Sequence, residues 1–140
     1  MIYAEIRDED RMPRSKQELK PISASKQDEL DLEGTWVNQL GSKMEIDSVK
    51  VGLIKGRYWS EVSKGQNLLC GVLSGTVAGD NISFTVNWLT ENAVTSWSGK
   101  LLVSIVGNKI LTRWEHLYVD SGGKVKKRCG RDTFVQMIAL

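Results

Sequence analysis

The chain has 140 residues, 41% of them apolar, and a formal charge of +2, which suits one globular domain with its own core and argues against a second. The charge is small and no basic block interleaves with aromatic residues, so neither nucleic acid nor an acidic partner is indicated. No apolar run approaches the roughly 20 residues that cross a bilayer as a helix, and the acidic start MIYAEIRDED lacks an apolar h-region, so a soluble chain without a visible secretory signal is expected and its compartment stays open.

Residues 1–30 are rich in charged residues, Gln and Ser and hold both prolines, Pro13 and Pro21. Such a segment buries too little apolar surface to order itself, so a flexible arm is expected, with a short helix over Ser23 to Leu30 as the alternative. From residue 31 onward the chain breaks into short alternating runs separated by turn residues. Strands are predicted at Gly34–Asn38, Lys43–Val49, Leu53–Trp59, Val72–Val77, Asn81–Trp88, Thr95–Ser104, Lys109–Leu117 and Asp132–Ile138. Gly41, Gly52, Gly79-Asp80-Asn81, Gly107-Asn108 and Gly122-Gly123 supply turn chemistry between them. Eight antiparallel strands predict an all-β barrel, which closes its own edges and has room for side chains or one small ligand.

The period of two tells which residues meet inside. Trp36 with Asn38, Tyr58 with Ser60, Thr95 with Trp97, and Thr112 with Trp114 each share a face, as do Phe84, Val86 and Trp88, and Asp132 with Phe134. An aromatic ring is thus repeatedly coupled to a small polar group. A barrel that only had to be filled would use branched aliphatics, because an unpartnered buried polar group costs on the order of 1–3 kcal/mol. The pattern suits a ligand that brings its own donors and acceptors. Five tryptophans in so small a domain point the same way.

Four stretches, GTWVNQLGS at Gly34 to Ser42, FTVNW at Phe84 to Trp88, TSWSGK at Thr95 to Lys100 and GRDTF at Gly130 to Phe134, together with GRY at Gly56 to Tyr58 and LTRW at Leu111 to Trp114, resemble the avidins and streptavidin, the biotin-binding proteins. The resemblance covers the barrel and omits the arm. It implies an eight-stranded up-and-down barrel that binds biotin tightly and non-covalently and so sequesters it, with no cofactor and no catalysis. It puts Asn38, Ser42 and Tyr58 around the ureido oxygen, Asp132 and Ser60 on the two ureido N–H groups, Thr95 near the thioether sulfur, and Trp88, Trp97 and Trp114 as walls. Trp36 becomes barrel floor.

Three departures from the family pattern predict binding weaker than its strongest members. Ala93 replaces a hydroxyl used for the biotin carboxylate, the loop from Glu61 to Leu69 departs from the family near the position that also serves that carboxylate, where Lys64 is a candidate contact whose charge partly compensates, and Lys124 stands where tetrameric members lend a tryptophan to a neighbour. The residues matching Arg113, Cys129 and Arg131 meet their own copies across a small two-fold interface in tetramers, and facing arginines repel there, so a homodimer is favoured over a homotetramer. Cys70 and Cys129 have no metal or redox spacing, and two reduced, partly buried thiols are expected over a bridge within or between chains. Two other functions compete: an enzyme using the sole histidine, His116, with Asp132 and a hydroxyl, and a lipocalin-like carrier of another small ligand.

Overall fold

The computed structural model describes residues 31–61 and 69–138. Eight strands follow in order: β1 (Gly34–Asn38), β2 (Lys43–Lys50), β3 (Leu53–Ser60), β4 (Leu69–Ala78), β5 (Asn81–Trp88), β6 (Ala93–Leu102), β7 (Lys109–Val119) and β8 (Val125–Gln136). Each pairs antiparallel with the next. The pairs Trp36↔Gln136, Val37↔Val135 and Asn38↔Phe134 join β1 back to β8, so the sheet closes into an up-and-down barrel with no free edge. The expected fold class is therefore the observed one. The arm of residues 1–30, with its alternative helix from Ser23, lies outside the described residues, as does Lys64. Among the described residues no helix is long and apolar enough to cross a membrane.

Alternation builds the wall. In β3, Ile54, Gly56, Tyr58 and Ser60 are buried while Leu53, Lys55 and Arg57 face outward. In β5 the inward set is Ile82, Phe84, Val86 and Trp88. Trp36, Met44, Ile46, Ile54, Leu73, Val86, Ile110 and Phe134 form the packed core, each at most 2% exposed, and each such side chain contributes about 1.5–3 kcal/mol by leaving water. Trp36 belongs to this core as a floor residue should, and its indole N–H donates to the Leu32 carbonyl at 2.9 Å. Trp59 faces the other way. Lys43 and Arg57 lie over its ring at 4.9 and 5.3 Å on the outer wall.

The strands run longer than the alternation alone indicates, most of all β8, which begins at Val125 and not at Asp132. Lys126, Lys127 and Arg128 are three cations in a row, so no inside–outside pattern marks them as strand. The backbone ladder decides instead: β7 offers Arg113 to Val119 as unbroken partners for Val125 to Arg131. β6 likewise begins two residues early, at Ala93, and ends at Leu102. No disulfide joins the two cysteines; Cys70 is half-buried, but Cys129 is exposed, correcting the expectation that both are partly buried. It alternates with the inward Arg128 and Gly130 on the extended β8 and so points outward.

Candidate functional site

A cavity of about 280 Å3 opens at one end of the barrel, lined by Asn38, Leu40, Ser42, Tyr58, Ser60, Leu69, Trp88, Thr95, Trp97, Trp114, His116, Arg128 and Asp132. All nine described residues singled out above as ligand-binding are in that list. Two larger grooves, about 630 and 690 Å3, lie on the outer wall and share the exposed Ser83, Ser98, Arg113 and Arg131. The inner cavity is the better candidate despite its size, because Asn38, Ser42, Ser60, Thr95 and Asp132 are buried polar side chains gathered around it.

The β1–β2 turn aims two of these groups. Gly41 takes a φ of 88°, a conformation that side chains disfavour. The turn lets Asn38 Oδ1 accept from the backbone N–H of Leu40 at 3.0 Å and of Ser42 at 2.9 Å. With its carbonyl so engaged, Asn38 presents its NH2 to Tyr58 Oη, 3.4 Å away. Ser42 Oγ accepts from the Glu61 N–H at 2.9 Å, so its own proton is free to be donated. Burial first, and then the Asp132 carboxylate, hold the Tyr58 phenol well above its ordinary pKa, with the Ser42 hydroxyl acting in the opposite sense, so the phenol keeps its proton and can donate. Asn38, Ser42 and Tyr58 thus bring three donor groups to the same cavity.

Aromatic packing fixes the walls. Trp97 stacks between Tyr58 at 4.9 Å and Phe84 at 5.1 Å, and Trp88 meets the Tyr58 ring edge-on at 5.6 Å. Trp97 Nε1 donates to Asp132 Oδ2 at 2.8 Å, which ties a wall to the one carboxylate among the described lining residues. Gly130 sits opposite Trp114 in the β7–β8 register, and a Cβ there would collide with the indole, so only glycine lets that ring lie across the strand.

Gln39, which sequence reasoning missed, holds Asp132 from the other side. Its Nε2 donates to Asp132 Oδ1 at 2.9 Å, and its Oε1 accepts from the Thr133 N–H at 2.9 Å. The side chain thereby extends the β1–β8 seam beyond the short β1 strand. His116 and Arg128 were also missed as lining residues. On the opposite wall Trp88 Nε1 donates to Thr95 Oγ1 at 2.8 Å, and Thr95 Oγ1 lies 2.6 Å from His116 Nδ1. His116 is thus bonded to Thr95, while Asp132 is held by Trp97 and Gln39, an arrangement unlike a hydroxyl–histidine–carboxylate triad. No group of three or more metal-binding side chains occurs among the described residues.

The model of the avidin family matches residues 26–137. A solved rhizavidin–biotin complex is 28% identical and superposes with a TM-score of 0.68, covering 79% of this chain and 98% of its own. A bradavidin2–biotin complex is 26% identical, with a TM-score of 0.68 and coverage of 78% and 100%. Intact afifavidin in its apo form is 28% identical, with a TM-score of 0.69 and coverage of 84% and 90%. With the family model spanning the whole barrel, the chain belongs to the avidin family.

Proposed function

We propose that this chain binds biotin non-covalently in the barrel cavity and acts by holding the vitamin, with no chemistry performed on it. The observation that carries the reading is the meeting of three donors, on Asn38, Ser42 and Tyr58, in the same cavity as the acceptor Asp132. A cyclic urea needs that set: an oxygen to receive several donors and N–H groups to be accepted. In this reading Asn38, Ser42 and Tyr58 surround the ureido oxygen, Asp132 and Ser60 accept from the two N–H groups, and Thr95 lies by the thioether. Trp88, Trp97 and Trp114 enclose the rings. Donors fixed before the ligand arrives lose little entropy on binding, and a cavity shielded from water strengthens each contact. The biotin complexes of rhizavidin and bradavidin2 support the same ligand for this chain. A lipocalin-like cargo is the poorer reading, because an apolar ligand would cover Asn38, Ser42, Thr95 and Asp132 without offering any of them a hydrogen bond.

The same reading makes the protein a homodimer. Arg113 and Arg131 are directly opposed on neighbouring strands and exposed, so a two-fold contact that brought them onto their own copies would set like charges together.

Calorimetry with biotin on Asp132→Ala and on Trp97→Ala tests the residue roles. Each substitution removes one side of a buried bond and is expected to weaken binding by about a hundredfold. Binding by both variants as tight as that of the unaltered chain would refute the roles.

A further inference from the structure

The two ends of the cavity differ in charge. Phe134, Asp132, Gly130 and Arg128 alternate onto the inner face of β8 and run from the closed core to the exposed rim. Asp132 and Arg128 are four residues apart, about 13 Å along an extended strand, and both line the cavity. Among the described lining residues Asp132 is the only carboxylate and Arg128 the only arginine or lysine. A ligand whose N–H groups meet Asp132 therefore encounters a cation where it leaves the barrel.

Arg128 is positioned there, and among the described residues its guanidinium donors make no hydrogen bond or ion pair. Its guanidinium carbon lies 5.4 Å over the Tyr118 ring, Tyr118 stacks on His116 at 5.5 Å, and His116 is bonded to Thr95 in the wall. The ion pairs among the described residues engage other cations. A groove of about 430 Å3 continues outward from this rim past Ala93, Glu91 and Tyr118, and both His116 and Arg128 belong to it as well as to the cavity. The Ala93 side chain supplies no hydrogen bond to an anion on that side, Glu91 would repel one, and among the described lining of the groove the guanidinium is the one permanent cation beside the donors of Asn92 and His116.

We propose that Arg128 receives the carboxylate of the bound ligand, so that the acid chain of biotin leaves the barrel along β7 and β8 toward this groove. The inference rests on the biotin reading above. A guanidinium fork matches a carboxylate with two parallel N–H bonds, and stacking on Tyr118 pre-orients it. Asp132 and Arg128 then read opposite ends of one molecule by opposite charge.

The experiment is calorimetry at low salt with biotin and with biotinamide, in which a neutral carboxamide replaces the carboxylate. The full chain is compared with Arg128→Gln, Lys64→Gln and, as a charge-matched control on the outer wall, Lys55→Gln. The unaltered chain and the Lys55 variant are expected to favour biotin over biotinamide by about tenfold. Arg128→Gln is expected to bind both ligands equally, and a cooperative unfolding transition like that of the unaltered chain shows that it is folded. A preference that survives in Arg128→Gln, or that disappears in Lys64→Gln instead, overturns the inference and leaves the biotin reading standing. Failure of the unaltered chain to bind either ligand overturns both.

Discussion

Gln39 and Asp132 are bonded across the seam where the barrel closes, Nε2 to Oδ1 at 2.9 Å, while the other end of the Gln39 amide is fixed by the Thr133 N–H. One exposed turn residue thus continues the strand pairing and orients the carboxylate that faces the cavity. Losing a hydrogen bond to a charged group costs about 1.5–3 kcal/mol. Gln39→Leu is expected to weaken biotin binding by about tenfold, and Gln39→Glu by more, because it places a second negative charge against Asp132. Calorimetry on both variants checks this; equal affinities for Gln39→Leu and the unaltered chain would show that the bond does not position Asp132.

Gly130→Ala tests the Trp114 wall. The added methyl would collide with the indole, which must tilt out of its place beside the cavity. Overpacking of this kind costs about 1–3 kcal/mol, and the loss is expected in biotin affinity, with a shift in tryptophan emission, while the barrel still unfolds cooperatively. A variant with unchanged emission and affinity would mean that the glycine has no such role.

Much of this barrel was legible before any coordinates. In β5 the inward set alternates cleanly with outward polar residues, in β3 it alternates with an outward face of Leu53, Lys55, Arg57 and Trp59, and the nine candidates line the cavity because each shares a face with a buried aromatic or follows a turn. Arg128 was not legible, since three consecutive cations mask the alternation and the strand containing it became visible only through its pairing with β7. Stepping back by twos from Asp132 through Gly130 was the signal that would have found it. Gln39 reads as an ordinary turn residue, and its partners lie more than 90 positions away in the chain. The spacing of two puts His116 on the same face as Trp114, but its bond to Thr95 depends on the β6–β7 register.

His116 makes stability depend on pH with a definite sign. Burial, its largest influence, holds its pKa below the ordinary 6.5; Glu91 acts against that and Arg128 adds to it. The unfolded chain therefore takes up this proton before the folded one does, so the contribution is fully present above pH 6.5 and is lost as pH falls through the folded-state value. Urea unfolding of the unaltered chain and of His116→Gln from pH 7.5 down to 4.5 is expected to show the difference between them shrinking or reversing toward acid. Parallel curves would contradict the assignment.

Sedimentation velocity at micromolar concentration is expected to give a single dimer, with or without biotin. Arg113→Glu, which places a carboxylate opposite Arg131 on the neighbouring strand, is expected to remove the repulsion that opposes further assembly. A tetramer formed by the unaltered chain would refute the role given to the arginine pair.

The most direct measurement is a fluorescence titration of the unaltered chain with biotin at micromolar concentration, read on the tryptophans, three of which line the cavity. The predicted result is a change in emission that saturates at one biotin per chain. No change in emission, together with no heat in a parallel calorimetric titration, would contradict the assignment of biotin to this cavity.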